Sequence, residues 1–272
     1  MVSIEDLKTR EGVLRYPTDA AEFIRNSFSP LKISSCRILL DARDLDTLFQ
    51  DNGGASLVTA KGQDVGRWVD KTSNATQFNL ASIAPPVYDI TGGFRSVYWA
   101  GNRRALIQSA LNLSAATTVT TVTAVRKMSD AALARIASFG SAQPLFAVSA
   151  PPAASATFGS NVSGGTARSV TTAASFAAPV KAVVTTVSKV NALTPSSRIR
   201  INSGAWVDEA LGAGATANFG TAIYALGGNT AGTGELLNGY IYAHALFTAE
   251  LSAQDLIDVE IWMAETCGLR LF

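Results

Sequence analysis

From residue 37 onward the chain is written in short β-branched runs separated by clusters of Gly, Asn, Pro and Ser, and this pattern restricts the fold more than any other feature. Residues 117–125, 180–187, 198–201 and 239–247 are the clearest runs. Val, Ile and Thr are stiff at χ1 and suit a pleated, half-buried surface, so these segments are expected as strands. Many short strands with turn residues between them imply a mainly β fold of the sandwich type. Asn202-Ser203-Gly204 follows one such run and predicts a tight hairpin with positive φ at Gly204. Residues 151–178 are rich in Ala, Ser, Thr and Gly with few large anchors, and read either as strands of small side chains or as a long exposed excursion.

One helix is well marked, over about 252–267. Ser252-Ala253-Gln254-Asp255 makes a start resembling a capping box, Leu256, Val259 and Met263 recur at helical spacing, and Gly268 supplies a left-handed stop. An amphipathic helix laid across the sandwich is expected. Residues 1–36 differ from the rest: a short helical pattern around Ala20-Ala21-Glu22-Phe23-Ile24-Arg25 stops at Ser29-Pro30. Phe23, Ile24 and Phe28 form an apolar stripe too short to hold a helix alone, and with Leu31 they are the candidate partner contacts; they pack either on their own domain or on another chain.

With 272 residues and 47% hydrophobic content, the chain can bury a full core without a staple. Cys36 and Cys267 fit neither a zinc spacing nor a redox pair, and read as buried free thiols or as a bridge between the ends. Lys and Arg total 22 against 21 for Asp and Glu, which gives no electrostatic footprint for nucleic acid or a membrane surface. No apolar stretch approaches the ~18 residues of a membrane span, and the start of the chain lacks a signal peptide's pattern, so synthesis in the cytoplasm without export is expected.

Chemistry-bearing constellations are sparse. The single histidine, His244, has Tyr242, Ala243 and Ala245 as neighbours and no local partner for a triad or metal site. Asp41, Asp44 and Asp46 invite a calcium test, but no glycine turn or later Glu completes a loop, and Arg43 lies among them. The Gly227–Gly234 stretch lacks the Lys and helix pattern of a phosphate loop. No catalytic residue, metal site or cofactor is assigned.

Three stretches together resemble the concanavalin A-like, laminin-G-type jelly rolls of tailed-phage and prophage structural proteins. They are Leu40-Asp41-Ala42-Arg43-Asp44 with Val65-Gly66-Arg67-Trp68-Val69-Asp70-Lys71-Thr72; Pro85-Pro86 through Val97-Tyr98-Trp99-Ala100-Gly101 to Thr120-Val122; and Leu237-Asn238-Gly239-Tyr240-Ile241 through Leu251-Ser252 to Gly268-Leu269. At the second, Trp99-Ala100-Gly101 stands where the family usually has a Phe-Asp-Gly turn. The resemblance implies a jelly-roll sandwich over residues 37–272, closed by the helix, with residues 1–36 as an attachment or oligomer arm. It also implies a non-enzymatic virion component (head decoration, neck, tail or fibre) that contacts other virion proteins and forms a homo-oligomer.

The alternative it implies is a carbohydrate-binding module for a cell-surface glycan. Glycosidases on this sandwich need neighbouring carboxylates, whereas Asp130 is the only acid between Ile90 and Val207. Trp206, beside the turn and close to Asp208, is the candidate glycan contact; Trp68 and Trp262 read as core.

Overall fold

A computed structural model of the protein describes residues 28–140, 145–191, 194–214 and 218–271. The strands are β1 (Cys36–Asp41), β2 (Leu48–Phe49), β3 (Arg67–Val69), β4 (Gln77–Leu80), β5 (Val87–Thr91) and β6 (Phe94–Ala100). They continue as β7 (Leu106–Leu113), β8 (Thr118–Lys127), β9 (Arg135–Phe139), β10 (Phe146–Ser149), β11 (Gly159–Ser163) and β12 (Ala167–Thr171). The last five are β13 (Val180–Lys189), β14 (Ser197–Ile201), β15 (Val207–Glu209), β16 (Gly220–Leu226) and β17 (Asn238–Phe247), before helix α1 (Ala253–Cys267). The expected sandwich is therefore present, and residues 151–178 contribute β11 and β12.

Two antiparallel sheets face each other. One runs β15-β14-β13-β8-β17-β6-β5, with β1 also on β17; the other runs β12-β11-β10-β9-β16-β7-β4-β3-β2. Between them lies the larger core, which includes Trp68, Trp99, Phe139, Phe146, Tyr224 and Leu246. A second core joins α1 to the outer face of the first sheet through Val122, Ala124, Val183, Ala245, Val259 and Met263. β8, β13 and β17 are thus buried on both faces, which is why they read as almost continuous β-branched and small apolar runs. A bulge between Ile241 and Ala243 lets β17 pair with β6 in its first half and with β1 in its second.

The helix starts as its sequence requires: Ser252 Oγ accepts from the Asp255 amide at 3.1 Å. The Asp255 carboxylate then accepts from the Ser252 hydroxyl at 2.8 Å. Gly268 closes the helix at φ 74°, where a Cβ would run into the Phe94 ring. Glu260, wholly buried, holds α1 to the sheet by accepting two 2.8 Å bonds from Arg200 and one of 2.6 Å from Ser203 Oγ. Thr185 Oγ1 donates a further hydrogen bond to it.

The hairpin after β14 differs from expectation, because Asn202 (φ 52°) and Ser203 (φ 58°) take the positive-φ positions and Gly204 does not. The side chains explain the shift: Asn202 Oδ1 accepts from the Val183 amide at 2.8 Å, and Ser203 is held by Glu260. Cys36 and Cys267 are free thiols, not a bridge, and burial pushes them up to about 12 and about 11.

The two sheets are also pinned together by a polar contact. His244 Nε2 lies 2.6 Å from Tyr224 Oη on the opposite sheet, and Nδ1 lies 2.8 Å from Thr123 Oγ1. A neutral imidazole has one donor and one acceptor, and the two hydroxyls match them. Burial holds the His244 pKa down to about 3, so the folded protein refuses a proton that the unfolded chain takes below about 6.5. Stability is full above that value and falls as pH drops toward 3. Denaturant titrations should show a loss of about 2–3 kcal/mol between pH 7 and pH 4.5, and that slope should be absent in His244→Gln.

Candidate functional site

Among the described residues no helix covers the outer face of the nine-stranded sheet, and there the strands from the Ser/Thr/Ala/Gly-rich segment form an open groove of about 510 Å³. Its floor follows from register. Arg135, Ser149, Gly159 and Thr171 lie directly opposite one another across β9 to β12, with Asn161 and Ser169 paired in a neighbouring row. A register shift between Val148 and Ser149 brings Arg135 rather than Ile136 opposite Ser149 and aims it outward. Gly159 leaves room for the wall: a Cβ there would sit 2.7 Å from Pro152, so only glycine lets the 150–158 loop come down on the sheet.

Arg135 is the one charged group among the lining residues. Its Nε donates to Glu235 Oε2 at 2.8 Å, and Nη1 donates to Ser149 Oγ and Asn161 Oδ1, both at 3.1 Å. These bonds fix the plane of the guanidinium and use three of its five N–H donors, and Nη2 has no hydrogen-bond partner among the described residues. Ser155, Thr157, Ser169 and Thr171 add hydroxyls around it.

The 150–158 wall is anchored from below by Lys127, which is fully buried. Its ammonium pairs with Asp130 at 2.6 Å, donates to the Thr157 carbonyl at 3.3 Å and lies 4.8 Å from the Phe158 ring centroid. The glycine-rich stretch is a loop, as expected, and it clamps the other side: Ser138 donates to the Gly228 carbonyl at 3.0 Å, and the Arg135 amide to Glu235 O at 2.8 Å.

The residues marked from sequence lie elsewhere. Trp206 is half-buried against the helix-side core, its ring under two guanidinium groups, Arg198 at 4.4 Å and Arg200 at 4.7 Å from the centroid. Phe28 packs on the same helix-side core, and the turn Pro30–Lys32 packs on β1. Leu31 is 42% exposed, while Phe23 and Ile24 lie outside the described residues. Asp41 accepts a two-pronged bond from Arg43 (2.9 Å each), and Asp44 pairs with Lys71 at 2.7 Å, so those carboxylates serve as ion-pair partners. Trp68 is core, and Trp262 lies under Arg43.

No family model and no curated protein sequence matches this chain. Among solved structures it is similar to a Trypanosoma rangeli sialidase, with TM-score 0.54 and 11% identity over 86% of this chain and 33% of the sialidase. It is also similar to the ligand-binding domain of botulinum neurotoxin serotype D in complex with N-acetylneuraminic acid, with TM-score 0.52 and 10% identity over 87% of this chain and 52% of that one. The chain thus spans about a third and about half of these two structures, and at such identity the likeness is one of fold.

The stacking at Trp206 generates a direct expectation. Trp206→Ala removes two cation–π contacts and should lower unfolding stability by about 1–2 kcal/mol in urea.

Proposed function

We propose that the protein is a non-enzymatic carbohydrate-binding sandwich that takes a glycan in the groove around Arg135. The observation that carries this reading is the groove itself: an oriented guanidinium with Nη2 left over, ringed by hydroxyls, on an outer sheet face that no helix covers among the described residues. Sugars present many hydroxyls and, in acidic sugars, a carboxylate, which are the partners such a lining satisfies. The fold likeness to a domain bound to N-acetylneuraminic acid makes sialylated glycans the first ligands to test.

The same lining argues for binding over cleavage. Retaining and inverting hydrolysis both use a pair of carboxylates, and sialidases use a tyrosine nucleophile. The groove is lined by neither Asp, Glu nor Tyr, and Glu235 behind it is held by Arg135.

Ser169 is exposed on the groove floor and makes a clean probe. In calorimetry with sialyllactose, Ser169→Trp should weaken binding by about tenfold or more at an unchanged melting temperature. A glycan array without hits, or binding unaffected by that substitution, would argue against the reading.

A second reading, attachment within a virion through the N-terminal segment, follows from the sequence resemblance and can be probed at Leu31, which is 42% exposed beside the packed Phe28. If that residue seats a second copy or a neighbouring virion protein, Leu31→Asp should shift an oligomer toward monomer in light scattering. A mass that is monomeric at every concentration for both proteins argues against this reading.

A further inference from the structure

The first sheet carries a second constellation on its outer face, beside the C-terminal end of α1. Register places Val87, Tyr98, Tyr240, Arg126 and Lys181 in one straight row across β5, β6, β17, β8 and β13. At the usual strand spacing the row is about 19 Å long. All five residues are half-buried, so each shows part of its side chain to solvent. The Tyr98 and Tyr240 rings stack at 4.5 Å, and the Arg126 guanidinium lies 5.8 Å from the other side of Tyr240. Lys181 spans the Phe94 ring at 4.7 Å and donates to the Cys267 carbonyl at 2.7 Å.

Charge is one-sided there. Lys61 and Arg103 lie within electrostatic reach of the two tyrosines, and Arg126 and Lys181 continue the row. The nearby acid, Asp89, is paired with Lys61 at 2.8 Å. Among the described residues neither Arg103 nor Arg126 has a carboxylate partner. In a chain of net charge +1 this is a local surplus of cations, and it complements an anion.

The ring geometry selects the kind of anion. Tyr240 is covered on one face by Tyr98 and on the other by Arg126, so it offers an edge and a hydroxyl but no free face. A single strand of nucleic acid binds chiefly by stacking its bases on open aromatic faces, which Tyr240 does not supply. What the row does supply is a line of O–H and N–H groups from Tyr98 to Lys181, about 14 Å long at the usual strand spacing, suited to successive carboxylate or sulfate groups.

We propose that this row is a second binding surface, on the sheet opposite the Arg135 groove, for an acidic polysaccharide laid across the strands. It stands independently of the groove, since the two share no residue and lie on different sheets.

Affinity electrophoresis of the full chain in native gels tests it, with polygalacturonate, dextran sulfate, neutral dextran and oligothymidylate as probes. The protein should be retarded by polygalacturonate or dextran sulfate, and not by dextran. Arg103→Gln combined with Arg126→Gln should weaken that binding by about tenfold and flatten its salt dependence, with an unchanged melting temperature. Should the double variant melt early, Arg103→Glu alone serves, with weaker retardation again expected. Ser169→Trp should bind these polymers as the parent does, which separates this surface from the groove. No retardation of the parent protein, undiminished binding by the arginine variants, or tighter binding to oligothymidylate than to either acidic polysaccharide would overturn the proposal.

Discussion

Glu260 is a carboxylate with no exposure to solvent, and the docking of α1 turns on it. Taking an ion out of water costs several kcal/mol unless its oxygens are fully bonded, and here Arg200, Ser203 and Thr185 together satisfy them. The same group reaches β13, β14 and the hairpin after β14, so it fixes where the helix lies and also the left-handed backbone at Ser203. Breaking such a pair from one side leaves a buried guanidinium uncompensated, at about 3–5 kcal/mol. Arg200 is shared with Trp206, so the tryptophan next to the turn belongs to the anchoring of the helix.

Once α1 is seated, β8, β13 and β17 have apolar neighbours on both sides, and the inner face of this sheet can carry a few polar groups only where each is matched. Thr121 and Thr186 hydroxyls meet at 2.7 Å, Ser160 and Ser197 join the sheets at 2.8 Å, and His244 bridges Thr123 to Tyr224. Buried polar pairs of this kind add little net free energy but penalise a sheet that slips in register, because each partner would be left unsatisfied. The lone histidine is thus a register device, far from any surface where it could act on a ligand.

Much of the architecture was readable from local pattern. The four strongest β-branched runs became β8, β13, β14 and β17, and the capping residues Ser252 and Gly268 bound the helix. Those features are local, so the chain states them directly. The groove is different in kind. Arg135 meets Ser149 across 14 positions, Asn161 across 26 and Glu235 across 100. Its floor is made of serine, threonine and glycine, which carry no periodic apolar signal, and the segment was ambiguous for that reason. Trp206 is a different case: its position beside a turn was legible, but its contacts with Arg198 and Arg200, alternate residues of one strand, depend on strand pairing that the local sequence does not state.

The covering of one sheet and not the other explains why small residues gather where they do. On the outer face of the nine-stranded sheet, Ala225, Ser138, Ala147, Asn161 and Ser169 lie in one paired row, and the first three are fully or nearly buried although no helix among the described residues lies above them. The 227–237 loop lies over this part of the sheet, with Ser138 donating to the Gly228 carbonyl, and larger side chains at Ala225 or Ser138 would hold it off. Toward β11 and β12 the loop ends, the small residues remain, and the space that they leave is the groove. A sheet face built this way can accept flat, polar matter against its backbone. The face under α1, filled with Val, Met and Phe, cannot.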